Sequence, residues 1–432
     1  MITFLLLVGT ILVLVGIHEG GHFLAAKLTG VYVKEFAIGF GPKLVSHRIG
    51  ETLYSIRALP FGGYVRLAGE DREETDSEIP KGRLLYSRPP FVRILISLAG
   101  PSANLMMTLL VLVLALWMFG VPLVQVAALI PGKPAEIELL PGDRIISIAG
   151  VPSYTIEDLD RAVQGCEGAP IEVVVERDGS HRGFTMTPEF DEGEGRYLIG
   201  IYPSPITYTN TLAALDPSSA LLASGLRVGD TIVSVGDVLT RTGIDLILRM
   251  NEHLPTESVE VSVLRMGVRE TWLVQTRGLD LDQVFSGVTF ADLGTSYRRP
   301  DFAKGIIIGA GEFASYVRLM IGWIRGIIAG QISPSDTVAG PIGIARMLAD
   351  WAKQGASVFL RLFAYLSLSL GLLNLVPFPA LDGSRAAFAL YETIRRKPIP
   401  PEREGMIHAI GFLVLIALML LVTYQDILKL FR

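Results

Sequence analysis

His18, Glu19 and His22 fall in the run GIHEGGH, near the end of an apolar stretch that begins at the first residue. On a helix, residues four apart share a face, so His18 and His22 can present their rings to one metal ion. Glu19 stands one position on, placed to act on a water beside that ion and not to ligate it. The pair can also be read as buried histidines satisfied by neighbouring carbonyls. Depth weighs against that reading, because an ionisable side chain at the bilayer centre costs about 2.5–3.5 kcal/mol and persists chiefly where it functions. Gly20 and Gly21 are poor helix formers, yet small residues let another helix or a substrate backbone approach. A catalytic zinc takes three protein ligands and keeps a fourth position for water. His47, His181, His253 and His408 lie in loops, in repeat modules or at a helix start, and read as solvated surface. Asp382 in NLVPFPALDGSRA is the better third candidate. Two prolines break the apolar run before it, and irregular backbone at membrane depth is tolerated only when buried or lining a cavity. An ordinary Asp-Gly turn or helix cap on the cytoplasmic side is the alternative.

The elements that must position these residues are mostly apolar helices. Half of the 432 residues are hydrophobic and 19% are charged, a membrane-protein balance. The formal net charge of −5 gives no reason to expect nucleic acid. Cys166 is the only cysteine, so no internal disulfide is possible. Spanning helices are expected over Ile2–Ala26, Ile94–Phe119, Leu362–Ala380 and Ile407–Tyr424. The first lacks a basic leader and reads as a retained span. Gly305–Gln331 carries Glu312, Arg318 and Arg325, and is expected to lie on the membrane surface as an amphipathic helix. Basic residues cluster after the first span (Arg48, Arg57, Arg66, Arg83, Arg88) and before the last (Arg385, Arg395, Arg396, Lys397), which places both segments in the cytoplasm and 120–355 outside. His18 then lies 17 residues into its span, about 26 Å, and Asp382 21 residues beyond Arg361, about 31 Å. Both segments run from outside to inside, so the two groups reach similar depth.

Between the second and third spans the sequence repeats. PGDRIISIAG at Pro141–Gly150 matches VGDTIVSVGD at Val228–Asp237, 87 residues on. Each copy follows a small-residue and leucine stretch and precedes a helix-like segment and an alternating strand. A Gly-Asp turn before a β-branched run is strand-entry chemistry. The order resembles tandem PDZ domains of the bacterial protease type. Expected boundaries are 1–119 for the first membrane part, 120–205 and 206–285 for the β modules, 286–355 for surface helices and linker, and 356–432 for the second membrane part.

HEGGH in the first span and NLVPFPALDG in the third resemble the two signatures of the site-2 proteases, and the outer β pair resembles their bacterial envelope-stress, RseP-like branch. IGFGP (Ile38–Pro42), LPFGGYVRLAGE (Leu59–Glu70) and LAGPSANL (Leu98–Leu105) fit the same pattern. The resemblance implies an intramembrane zinc metalloprotease in a bacterial inner membrane. Four spans would carry two inserted PDZ-like domains and a re-entrant β-hairpin. It implies that His18, His22 and Asp382 bind Zn2+, that Glu19 is the general base and that Asn374 contacts the substrate backbone. Its substrates would be single-pass membrane proteins already cut outside, of the anti-sigma-factor type, and remnant signal peptides. The stretch around Gly62, Gly63 and Tyr64 would hold a substrate extended along a strand edge, unless it is an ordinary cytoplasmic hairpin. Gly100, Pro101 and Asn104 serve helix packing or the site. The competing classes are a membrane-anchored PDZ scaffold with structural histidines and a metal transporter using His18, His22 and Asp382 in transit.

Overall fold

The computed structural model describes residues 2–70, 79–205, 207–217, 219–254, 256–294, 296–330, 340–397 and 399–430. The chain divides into two compact units, Met1–Met118 with Asp301–Arg432, and Phe119–Pro300.

The first unit is helical apart from one hairpin. Its helices are α1 (Ile2–Leu28), α2 (Pro90–Phe119), α3 (Phe302–Ile328), α4 (Pro341–Lys353), α5 (Ala356–Leu375), α6 (Asp382–Arg395) and α7 (Pro401–Leu430). α5 stops at Leu375, short of the expected Ala380, because Pro377 and Pro379 have no N–H to continue it. Among the described residues five helices are long and apolar enough to cross a membrane, where four were expected. The additional one is α3, expected on the surface because of its charges. Glu312, the acidic one, is paired with Arg361 of α5 at 2.5 Å. Phe302 of α3 stacks on Trp117 of α2 with ring centroids 4.7 Å apart, and Phe313 and Tyr316 pack with Val111, Leu112 and Ala364. A paired charge and a covered apolar face make α3 a candidate span beside α2 and α5. Of the stretch expected there, Gln331 lies outside the described residues.

The hairpin joins β1 (Val33–Ile49) to β2 (Thr52–Leu67). It is bulged and folds on itself, so that Glu35–Ile38 finds partners on two sides. Ile38, for example, pairs with both Gly63 and Ile56. From Val33 to Gly39 the strand alternates buried and half-buried, and from Phe40 onward it is exposed. The exposed part carries Phe40, Leu44, Val45 and Ile49, with Ile56 and Leu59 opposite.

Two six-stranded sheets of one plan dominate the second unit. In the first the order is Ile201–Ser204, Gln125–Leu129, Arg144–Ile148, Ile171–Arg177, Ser180–Met186. In the second it is Thr289–Asp292, Tyr208–Ala214, Thr231–Val235, Ser258–Arg265, Val268–Gln275. Each module has one amphipathic helix, Ile156–Gly165 and Gly243–His253, whose N-terminal N–H is accepted by Thr155 and Thr242 respectively. Each repeated Gly-Asp turn buries its aspartate against an arginine two strands on, Asp143 with Arg177 at 2.6 Å and Asp230 with Arg265 at 2.7 Å. The second sheet continues to Asp292, past the expected boundary at 285, and Tyr297–Arg298 pairs with Val121–Pro122 to close the unit. The linker expected over 286–355 is therefore divided between the units, and its residues 331–339 lie outside the described ones.

Candidate active site

α1 places His18 and His22 on one face, and α6 begins with Asp382 pointing at them. His18 Nε2 lies 2.9 Å and His22 Nε2 3.3 Å from Asp382 Oδ2, and the two ring nitrogens are 3.3 Å apart. One ligand atom from each residue falls within 4.8 Å of the others, the only such cluster among the described residues. Two imidazoles and one carboxylate suit zinc in a catalytic site, with a position left for water. The outer nitrogen of His22 supports that use, since Nδ1–H donates to the Ile96 carbonyl at 2.7 Å and leaves the Nε2 lone pair free.

The neighbouring helices come close enough because particular side chains are missing. A Cβ on Gly100 of α2 would collide with the His22 ring, and one on Gly21 of α1 with the Ala99 carbonyl. Gly20 meets nothing comparable. The approach expected of the glycine pair thus falls to Gly21 alone, with Gly100 supplying the second half from α2. The loop from Val376 to Leu381 delivers Asp382. Ala380 there adopts φ +75°, a left-handed conformation unusual for a residue with a Cβ, and its N–H donates to His408 Nδ1 of α7 at 3.0 Å. His408 is therefore no solvated surface residue. Asp382 sits in the first turn of α6, where the helix dipole favours a negative charge.

Glu19 stands outside the three-residue cluster and lines a cavity of about 330 Å³ with His18, His22, Asp382, Gly63 and Tyr64. β2 can run alongside α1 because Gly63 has no side chain. A Cβ there would lie 2.8 Å from the Ala37 carbonyl and 3.3 Å from Glu19 Cγ. Tyr64 stacks with Phe40, centroids 6.2 Å apart. Gly62, at φ +98°, sits over the Phe40 ring and does not line the cavity. Asn374 is not brought to the cluster. Its amide donates to the Leu370 carbonyl of its own helix at 3.0 Å. The cavity walls are tied together by Arg385 with Glu70, by Arg93 with Glu392 at 2.7 Å, and by Tyr86 Oη donating to Glu404 at 2.8 Å. Arg385, which also reads as a plain topology signal, is one of these ties.

The profile of peptidase family M50 matches residues 6–418. The chain belongs to peptidase family M50. Among its relatives, the zinc metalloprotease RasP of Geobacillus kaustophilus is 30% identical, over 97% of this chain and 96% of its own. The zinc metalloprotease RasP of Bacillus licheniformis is 29% identical, over 100% and 99%. The regulator of sigma-W protease RasP of Bacillus subtilis is 29% identical, over 100% and 98%. As an M50 peptidase the protein is a zinc metalloprotease of the site-2 type and an integral membrane protein. In the family signature HEGGH the first two donor groups are legible. His408 and the Arg93–Glu392 pair are not, because each acts on residues far away in the sequence.

Proposed function

We propose that this M50 peptidase hydrolyses a peptide bond within or near the transmembrane segment of single-pass membrane proteins. The observation that carries the reading is the convergence of His18, His22 and Asp382 beside Glu19 in one cavity of a membrane-embedded unit. His18, His22 and Asp382 hold the zinc, which when bound supplies a Lewis acid and makes water a nucleophile near pH 7. Glu19 takes the proton of the attacking water and delivers it to the leaving amine. A substrate helix must unwind first, because its carbonyls are occupied by its own hydrogen bonds. The outer edge of β2 around Gly62, Gly63 and Tyr64 takes up the unwound strand by main-chain pairing. Exposed Phe40, Leu44, Val45, Ile56 and Leu59 suit a hairpin that touches the bilayer, with Lys43 and Arg48 reaching the headgroups. Asn374, in the last turn of α5, contacts the substrate backbone.

The location is a bacterial inner membrane with the β unit outside, as the distribution of arginine and lysine implies. Substrates are of the anti-sigma-factor type or remnant signal peptides, shortened by an earlier cut outside. The name of the Bacillus subtilis relative, a regulator of sigma-W protease, supports that class.

The test uses purified protein in detergent with a tagged single-pass substrate. Glu19→Gln is expected to retain about one zinc and lose cleavage by 10²-fold or more. Chelation should abolish both metal and cleavage. Wild-type protein free of zinc, or a Glu19→Gln variant that cleaves normally, would overturn the assignment.

A further inference from the structure

Asn104 of α2 is fully buried, and its position is fixed from behind. Its backbone carbonyl accepts from Thr108 Oγ1 and from Ser367 Oγ of α5, each at 2.9 Å. Its side-chain nitrogen lies 3.3 Å from His18 Nδ1, while its side-chain oxygen has no hydrogen-bond partner. As these contacts stand, the amide N–H donates to Nδ1 and the ring proton resides on Nε2, facing Asp382 at 2.9 Å. A ring in that tautomer offers no lone pair at the atom it shares with His22 and Asp382. Ligation through Nε2 needs the proton on Nδ1 and an acceptor to receive it. The acceptor is a half-turn of the amide away, since rotation exchanges the nitrogen for the unpaired oxygen. Either orientation leaves one amide atom unpaired, so the histidine decides between them. His22 has the fixed counterpart of this arrangement, a backbone carbonyl at its Nδ1 that cannot turn.

We propose that Asn104 is the positioning residue for His18, accepting the Nδ1 proton through its side-chain oxygen and so presenting Nε2 to the zinc. The inference rests on the assignment of His18, His22 and Asp382 as the zinc ligands.

The experiment is chelator competition for zinc on the purified full chain, comparing wild type with Asn104→Leu, Asn104→Asp and His18→Ala. Leucine keeps the shape and removes the acceptor, so affinity should fall about 10–100-fold with one zinc still bound at saturation. Aspartate keeps an oxygen and removes the amide nitrogen, so it should bind zinc as tightly as wild type or more tightly. A leucine variant with wild-type affinity would overturn the proposal, as would an aspartate variant weakened tenfold or more. Should the leucine variant fail to fold, the aspartate variant decides by the same threshold. The two levels separate cleanly. Wild type without zinc, or His18→Ala with unchanged affinity, removes the metal site itself and the proposal with it, whereas normal zinc binding that is indifferent to Asn104 removes only the proposal.

Discussion

An imidazole is a dependable metal ligand when its second nitrogen is engaged. His22 meets that condition through Ile96, and the ring is held from the other side by the bare Cα of Gly100. Gly100→Ala therefore tests the site more sharply than it tests the fold. Overpacking one methyl costs about 1–3 kcal/mol, which a bundle of this size absorbs. The ring it displaces is a proposed ligand, so zinc affinity should fall at least tenfold while the helical content measured by circular dichroism stays unchanged. An alanine variant with wild-type zinc affinity would refute the packing account. The donor residues are legible in the sequence because ionisable groups inside an apolar run stand out by type alone. His408 is not, since it works on a partner 28 residues away, and Asn104 is legible only as serving helix packing or the site, its partner His18 lying 86 residues away.

At the level of elements, apolar length found the helices, and period-2 alternation with Gly-Asp turns found the strands. What it could not supply was pairing. Glu312 counts against a span until Arg361 is seen beside it, and the prolines after Leu375 mark a break without saying that α6 follows it at Asp382. The repeated aspartates are similar. Asp230 is buried, which would raise its carboxyl, but the Arg265 guanidinium and the Arg227 N–H hold it below the usual carboxylate range. A depressed folded value contributes stability that is present above the unfolded pKa of about 3.9 and is lost as pH falls through the folded one. Thermal melts of the second β module should therefore weaken progressively below about pH 4. Arg265→Met leaves the Asp230 carboxylate uncompensated and should lower the melting temperature at neutral pH. Melting at the wild-type temperature would show the pair to be dispensable.

For the molecule as a whole, the β unit enters and leaves through neighbouring strands, Val121–Pro122 against Tyr297–Arg298. Paired strands lie about 4.8 Å apart, so a few glycines can replace everything between them. Protein in which residues 123–296 give way to a short Gly-Ser linker is expected to bind zinc with wild-type affinity. Loss of zinc from that variant, with its helices intact, would show that the membrane-embedded unit depends on the β unit for its site.

The distance along the chain between the site's parts has a further consequence. His18 and Asp382 are separated by 364 positions, and the loop carrying Asp382 is secured by His408, later still. A ribosome delivers Glu19 and the two imidazoles almost at once, and the carboxylate only 364 positions after His18. Throughout that interval the nascent chain carries the histidine pair without its third partner. Until Asp382 and the His408 that secures its loop have both been synthesised, the three-residue cluster cannot close.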